Sequence, residues 1–512
     1  MAWKMTGSLP EIIRLPIKRK KKIEPVPMTE DHFGKFRSNI IGNACQYQTP
    51  YGPKKLIYAD WIASGRLYRP IEKIIADDIG PFVGNTHTET SKVGKLMTQA
   101  YHLAHQKIKS HVNAGPGDVI ITTGFGMTGA IVKFQRILGL KQNRKEHEVV
   151  QDHDRPVVFV THMEHHSNQT TWYETDADVV VIEPGADLLI DLNNLERALK
   201  QYAGRRRKIG AFTACSNVTG IRTPYHAMAR LMHENGGLAF IDFAASAPYD
   251  DINMHPADPL EKLDAVFFSP HKFLGGPGSS GVLIFDSGLY QLKAPDQPGG
   301  GTVDWTNPWG EYKYIDNIEI REDGGTPGFL QAIRTALAIE LKNQMVVEKI
   351  HEKESELVQI AFEEFRKIPG LHILADSIED RLGVISFYID RIHYNLVVGI
   401  LSDRFGIQVR GGCACAGTYG HFLLDVSYEK SRRITEKINL GDLSDKPGWV
   451  RVSLHPTMTV EEVRYIAEAL YQIRLHHAEW ERDYVYDKHC NEFRHRSQNK
   501  DSETIQSWFD LA

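Results

Sequence analysis

Short apolar runs recur along the first two thirds of the chain, at 118–122, 156–160, 178–182, 208–214, 238–241 and 264–268. Each is four to seven residues long, and turn formers or charges bound most of them, the pattern of buried strands. Between several of them apolar residues return every three or four positions, at 96–112, 128–140, 195–202 and 225–235, which predicts helices. Strands alternating with helices imply an α/β layer structure with a mainly parallel sheet. The pattern changes after Phe285. Residues 287–328 are rich in Gly, Pro and Trp without a clean period, and read as a long irregular crossing. A long helical stretch follows at 330–367. Then comes a smaller α+β pattern, with strands near 383–388 and 449–454 and helices near 395–405 and 460–473.

The expected organisation is a flexible basic arm at 1–35 and a large α/β domain at 36–330, whose N-terminal segment contributes to the small domain. A small α+β domain at 331–476 and a peripheral extension at 477–512 complete it. The arm carries the basic run Lys18 to Lys22, read as a solvated segment. No internal repeat is visible.

Composition narrows the function. The chain has 512 residues, 42% hydrophobic and 24% charged, enough for a sizeable core. A net charge of −5 gives no electrostatic footprint for nucleic acid. No run of about 18 apolar residues predicts a membrane span, and residues 1–13 lack the apolar core of a signal peptide. Five cysteines, an odd number in a long chain, argue for a reducing, cytoplasmic setting rather than a disulfide framework.

The chemistry concentrates at strand ends. Lys272 lies just past an apolar run, in Ser269-Pro270-His271-Lys272-Phe273-Leu274-Gly275-Gly276. A desolvated lysine near other cations loses its proton and forms Schiff bases. Ser269 and His271 supply donors suited to a phosphate. Asp242 ends a strongly apolar run, and a buried carboxylate there needs a partner, such as a protonated pyridine nitrogen. Gly124-Phe125-Gly126-Met127-Thr128-Gly129 has the spacing of a dinucleotide fingerprint, but the next strand ends in Thr161-His162-Met163-Glu164-His165-His166 rather than an acidic residue. What it retains is a helix N-terminus whose amides suit a phosphate. The histidines lack the spacing of a helix-borne zinc site, so no metal is expected.

In this order, Glu164-His165-His166-Ser167-Asn168, Ser216-Asn217-Val218-Thr219-Gly220, Asp242-x-Ala244 and Ser269-x-His271-Lys272 resemble the class V aminotransferase family of pyridoxal 5'-phosphate enzymes. The cysteine desulfurases and selenocysteine lyases within it are most similar. The resemblance runs from about Tyr58 to Ile473 and implies fold type I. It implies that Lys272 carries the cofactor, Asp242 pairs with its ring nitrogen, His165 stacks on the ring and Asn217 meets its phenolic side. Gly126, Met127, Thr128, Ser269 and His271 would surround the phosphate. Thr326, in Gly325-Thr326-Pro327, would reach the phosphate of a second subunit, which implies a homodimer. Arg451 would take the substrate carboxylate bidentately, with Arg410 beside it. Ala245 stands where desulfurases usually carry glutamine.

Arg410-Gly411-Gly412-Cys413-Ala414-Cys415-Ala416-Gly417 resembles the desulfurase loop with its nucleophilic cysteine, and the register falls on Cys415. A mobile, glycine-rich loop suits a residue that accepts sulfur and passes it to an acceptor protein. The implied reaction converts cysteine to alanine, leaving a persulfide on Cys415. A transaminase, C–S lyase or epimerase of the same family would need Lys272 but not Cys415. A non-catalytic scaffold would need neither.

Overall fold

The computed structural model describes residues 30–86, 88, 90–124, 126–141, 153–497 and 502–511; the basic run 18–22 lies outside them. Seven strands form the main sheet, in the spatial order Asp118–Thr123, Gly281–Asp286, Ala265–Phe268, Leu238–Asp242, Lys208–Thr213, Val157–Thr161, Asp178–Ile182. All run one way except Gly281–Asp286, which is antiparallel to both neighbours. The strands are continuous apolar runs because helices cover both faces: Val157, Val158, Phe159 and Val160 are all fully buried. One apolar cluster lies on each side of the sheet. Thr213 pairs with Asp242 and Asp242 with Phe267, so the carboxyl ends of these strands are level. Ligands of open α/β sheets bind at that edge.

The smaller unit is an antiparallel sheet in the order Leu371–Ile373, Val384–Ile389, Trp449–Ser453, Arg410–Gly412. Helices Val347–Phe365, Tyr394–Phe405 and Val460–Trp480 pack with it. The N-terminal segment joins this core. Glu30–Arg37 is a helix, so the expected arm ends before residue 35. Phe33 and Phe36 are buried against the small-domain core, and Arg37 donates to Glu462 at 2.9 Å. Ile57–Tyr58 then pairs in parallel with Ile407–Gln408.

Three other elements differ from expectation. Within 287–328 a hairpin forms from Val303–Thr306 and Tyr312–Tyr314, followed by a helical turn Ile318–Arg321. This crossing is anchored by charge rather than apolar period: buried Glu322 accepts from Lys133 at 2.8 Å. The helix expected over 330–367 is two helices, Phe329–Met345 and Val347–Phe365, because Val346 adopts a left-handed φ of 65°. After residue 477 the chain packs back through a second hairpin, Tyr484–Asp487 with Glu492–His495. Its buried Tyr484 enters the small-domain core.

Candidate active site

A cavity of about 440 Å³ opens at the level strand ends. Its walls come from three stretches of chain: residues around Ile62 and Ala63, the strand ends and turns of the main sheet, and the edge of the small sheet with its cysteine loop.

Lys272 stands on its floor, at the end of the single turn Pro270–Lys272 that follows the strand Ala265–Phe268. The N-terminal segment clamps that turn. The Gly65 amide donates to the His271 carbonyl at 2.9 Å. A Cβ at Gly65 would lie 1.9 Å from the Phe273 oxygen, so only glycine allows this approach. Burial brings the Lys272 pKa down to about 8; Asp242 opposes the shift, while Arg451 and Arg410 add to it. Asp242, 4% exposed, also faces the cavity. Burial raises its pKa to about 6 against the Ala244 amide, which donates at 2.8 Å, and the charge of Lys272. Behind them Glu164 is fully buried and accepts from the Thr161 amide and hydroxyl, Asn168 Nδ2 and the Thr213 amide. It ties two strand ends, at Thr161 and Thr213, to the turn carrying Asn168; burial pushes its pKa up to about 8, and these donors pull it back.

At one end of the cavity lie Gly126, Met127, Thr128, Ser167, Ser269 and His271. The Met127 amide, at the start of helix Gly126–Ile137, donates to Ser269 Oγ at 2.8 Å, and the Thr128 and Ser167 hydroxyls are 2.6 Å apart. A Cβ at Gly126 would come within 3.0 Å of Ser269 Oγ. His165 lines the wall; its Nδ1 accepts from the Ser167 amide, leaving the ring proton on Nε2. Burial lowers its pKa to about 3, with Lys272 adding to the shift, so the ring is neutral.

At the other end, Arg410 and Arg451 are direct cross-strand partners. Like charges in that position repel. Asp60 relieves the repulsion, a residue the sequence reading did not single out. Its Oδ1 accepts from Arg451 Nη2 at 3.0 Å and its Oδ2 from Arg410 Nε at 3.1 Å. A carboxylate inside the apolar stretch Leu56-Ile57-Tyr58-Ala59-Asp60-Trp61-Ile62 was the available signal, since burial there demands a partner. Arg451, 3% exposed, also donates through Nη1 to the Asn217 carbonyl, while its Nε is buried without a partner among the described residues. Both forks of Arg451 are thus already engaged on one side.

The cysteine loop closes the cavity. Cys415 and Ala414 line it, whereas Cys413 does not and packs with Ala416, Tyr419 and Trp449. The loop is tied down rather than loose. Asn217 Nδ2 donates to the Ala414 carbonyl at 2.7 Å and the His166 amide to the Cys415 carbonyl at 2.7 Å. The Gly417 amide donates to His166 Nε2 at 2.9 Å. Asn217 therefore spends its amide group on the loop, and its Oδ1 is buried without a partner among the described residues.

Thr326 is elsewhere: it sits on an exposed turn outside this cavity. The other expected residues converge on it. Among the described residues no group of three or more His, Cys, Asp or Glu is placed to hold a metal ion.

The Aminotransferase class-V family profile matches residues 57–466. The chain belongs to this family. A probable cysteine desulfurase of Staphylococcus aureus (strain N315) is 28% identical over 367 residues, covering 71% of this chain and 84% of that one. Its counterpart in Staphylococcus epidermidis (strain ATCC 12228) is 29% identical over the same length. Among solved structures, the apo cysteine desulfurase of Thermococcus onnurineus NA1 superposes with a TM-score of 0.69 at 21% identity, covering 88% of this chain and 100% of that one. The cysteine desulfurase CsdA of Escherichia coli gives 0.65 at 22% identity, covering 86% and 98%. At those identities the superpositions establish the fold, an α/β architecture of type I. The class V chain is an enzyme, and none of its described helices is long and apolar enough to cross a membrane.

Proposed function

We propose that this enzyme holds pyridoxal 5'-phosphate on Lys272 and removes sulfur from cysteine, with Cys415 as the acceptor. The carrying observation is that Lys272 and Cys415 face one cavity while Cys413 faces away. The likeness to relatives named probable cysteine desulfurase supports the same reading.

The residues present fit the cofactor. The Gly126 approach and the hydroxyls of Thr128, Ser167 and Ser269 make a cradle for a phosphate at a helix N-terminus. The orphaned Oδ1 of Asn217 offers an acceptor at the cavity wall. Asp242 would hold the proton of the ring nitrogen, and the neutral His165 ring would lie against the ring face. When bound, the cofactor condenses with amines and takes up the electron pair released at Cα.

The chain's own groups do the rest. Arg451 and Arg410 receive the substrate carboxylate and orient the amino acid. Lys272 Nζ, easily deprotonated because burial lowers its pKa, takes the proton from Cα. Cys415 Sγ, as thiolate, attacks the substrate Sγ. The new S–S bond forms as the Cβ–S bond breaks, its electron pair stays with the carbon fragment, and protonation of that fragment gives alanine. The persulfide then passes to an acceptor thiol. We also propose a homodimer: the exposed turn of Thr326 has no part in its own cavity, and the neighbouring hairpin presents Trp305, Trp309 and Tyr312 to the surface.

Incubating the cofactor-loaded enzyme with cysteine and mapping its peptides tests the proposal. Alanine and one added sulfur on the Cys415 peptide are expected. Turnover without any added sulfur would assign a transaminase or lyase reaction instead.

A further inference from the structure

The cysteine loop is held in a conformation that its sequence disfavours. Ala414 and Cys415 are consecutive non-glycine residues in the left-handed region, with φ of 49° and 56°. Such backbone persists only where its surroundings over-determine it. The turn closes on itself, the Ala416 amide donating to the Cys413 carbonyl at 3.0 Å, and three hydrogen bonds hold it from outside. One strap is Asn217 Nδ2 on the Ala414 carbonyl. The other two both belong to His166. Its backbone amide donates to the Cys415 carbonyl at 2.7 Å, and its ring Nε2 accepts from the Gly417 amide at 2.9 Å. A single residue thus grips the loop at the end of the left-handed pair and again two residues further on. At the next residue Thr418 Oγ1 donates to Gln169 Oε1 at 2.9 Å.

His166 adjoins His165, which lines the cavity, yet His166 does not line it. Its ring is also the acceptor that caps the first amide of the helix Gly417–Leu423, where no side chain of the preceding residues does so. A Cβ at Gly417 would lie 3.2 Å from that nitrogen, so the glycine is what lets the ring come so close.

We propose that His166 is a positioning residue, a latch that holds the strained Ala414–Cys415 backbone so that the thiol faces the Lys272 cavity. The assignment rests on Cys415 being the sulfur acceptor. Without the ring acceptor the left-handed pair relaxes to ordinary backbone, and the thiol leaves the line of approach to the substrate sulfur. Substrate binding, which depends on the arginines at the other end, is unaffected.

His166→Leu removes the acceptor but keeps the amide; His166→Gln places an oxygen near the position of Nε2. In His166→Leu the kcat for persulfide formation should fall about tenfold, the worth of one well-placed hydrogen bond, with KM for cysteine unchanged. His166→Gln should recover most of the loss. Hydrogen exchange of the peptide spanning 413–423 should quicken in His166→Leu and return towards wild type in His166→Gln. That measurement needs no turnover, so it separates failure of the latch from failure of the desulfurase reading. If His166→Leu does not fold, Thr418→Val, which cuts the neighbouring hydrogen bond to Gln169, decides with a smaller loss of kcat in the same direction. Wild-type kcat together with unchanged exchange in the folded variant overturns the latch.

Discussion

Replacing Asp60 by asparagine tests the electrostatic design of the carboxylate end. Asp60 separates two arginines that are cross-strand neighbours, and the two pairs differ in setting. The Arg410 side chain is 52% exposed, so its pair contributes about 0–1 kcal/mol. Arg451 is 4% and Asp60 12% exposed as side chains, and removing one partner of such a buried pair costs about 3–5 kcal/mol. The neutral amide preserves the shape and removes the charge, so a loss of about 3 kcal/mol is expected, nearly all from Arg451. The arginines would then lack a counter-charge, and an added carboxylate should supply it. A ligand at a hundred times its Kd stabilises by about 2.7 kcal/mol, close to the loss. Urea unfolding of both proteins, in sodium acetate and in sodium chloride at equal ionic strength, measures this. The variant should be less stable in chloride, and acetate should narrow the gap. A stability within about 0.5 kcal/mol of wild type would refute the reasoning, because that is the range of an ordinary surface substitution.

Asp242→Asn should retain the cofactor but lose about 10²-fold or more in kcat, since an amide cannot hold the ring-nitrogen proton; equal rates would show that Asp242 is not the partner. Glu164→Gln puts an amide NH2 donor opposite Asn168 Nδ2, which donates to the Glu164 carboxyl at 2.7 Å, and should cost about 1–3 kcal/mol in chemical denaturation. Lys272 is deprotonated above a pKa of about 8 rather than its ordinary 10.5, so its condensation with added pyridoxal phosphate should rise with pH and level off above about 8. A rate still climbing at pH 10 would contradict that. Asp242→Asn should move the same profile to lower pH, because Asp242 raises the Lys272 pKa.

The alternation of apolar runs and helical periods was enough to determine the layered α/β fold, since strands covered on both faces must be continuously apolar, as 157–160 are. Lys272, Asp242, His165 and Ser269 were legible for the same reason: strand ends at the carboxyl edge are where such a sheet exposes polar groups, and each lies at the end of an apolar run or within four residues of it. Tertiary structure decided what depends on long-range pairing. The strand Gly281–Asp286 lies antiparallel between its neighbours, and no local pattern encodes direction. The glycine-rich crossing at 287–328 holds by the buried Lys133–Glu322 pair, whose partners are 189 residues apart. Asp60 became a site residue only when 350 residues of intervening chain brought Arg410 to it. The cysteine loop, flexible by composition, is tied down because Asn217 and His166 reach it from the turns of the main sheet. Local propensity reports what a segment prefers, and those distant hydrogen bonds and ion pairs override it.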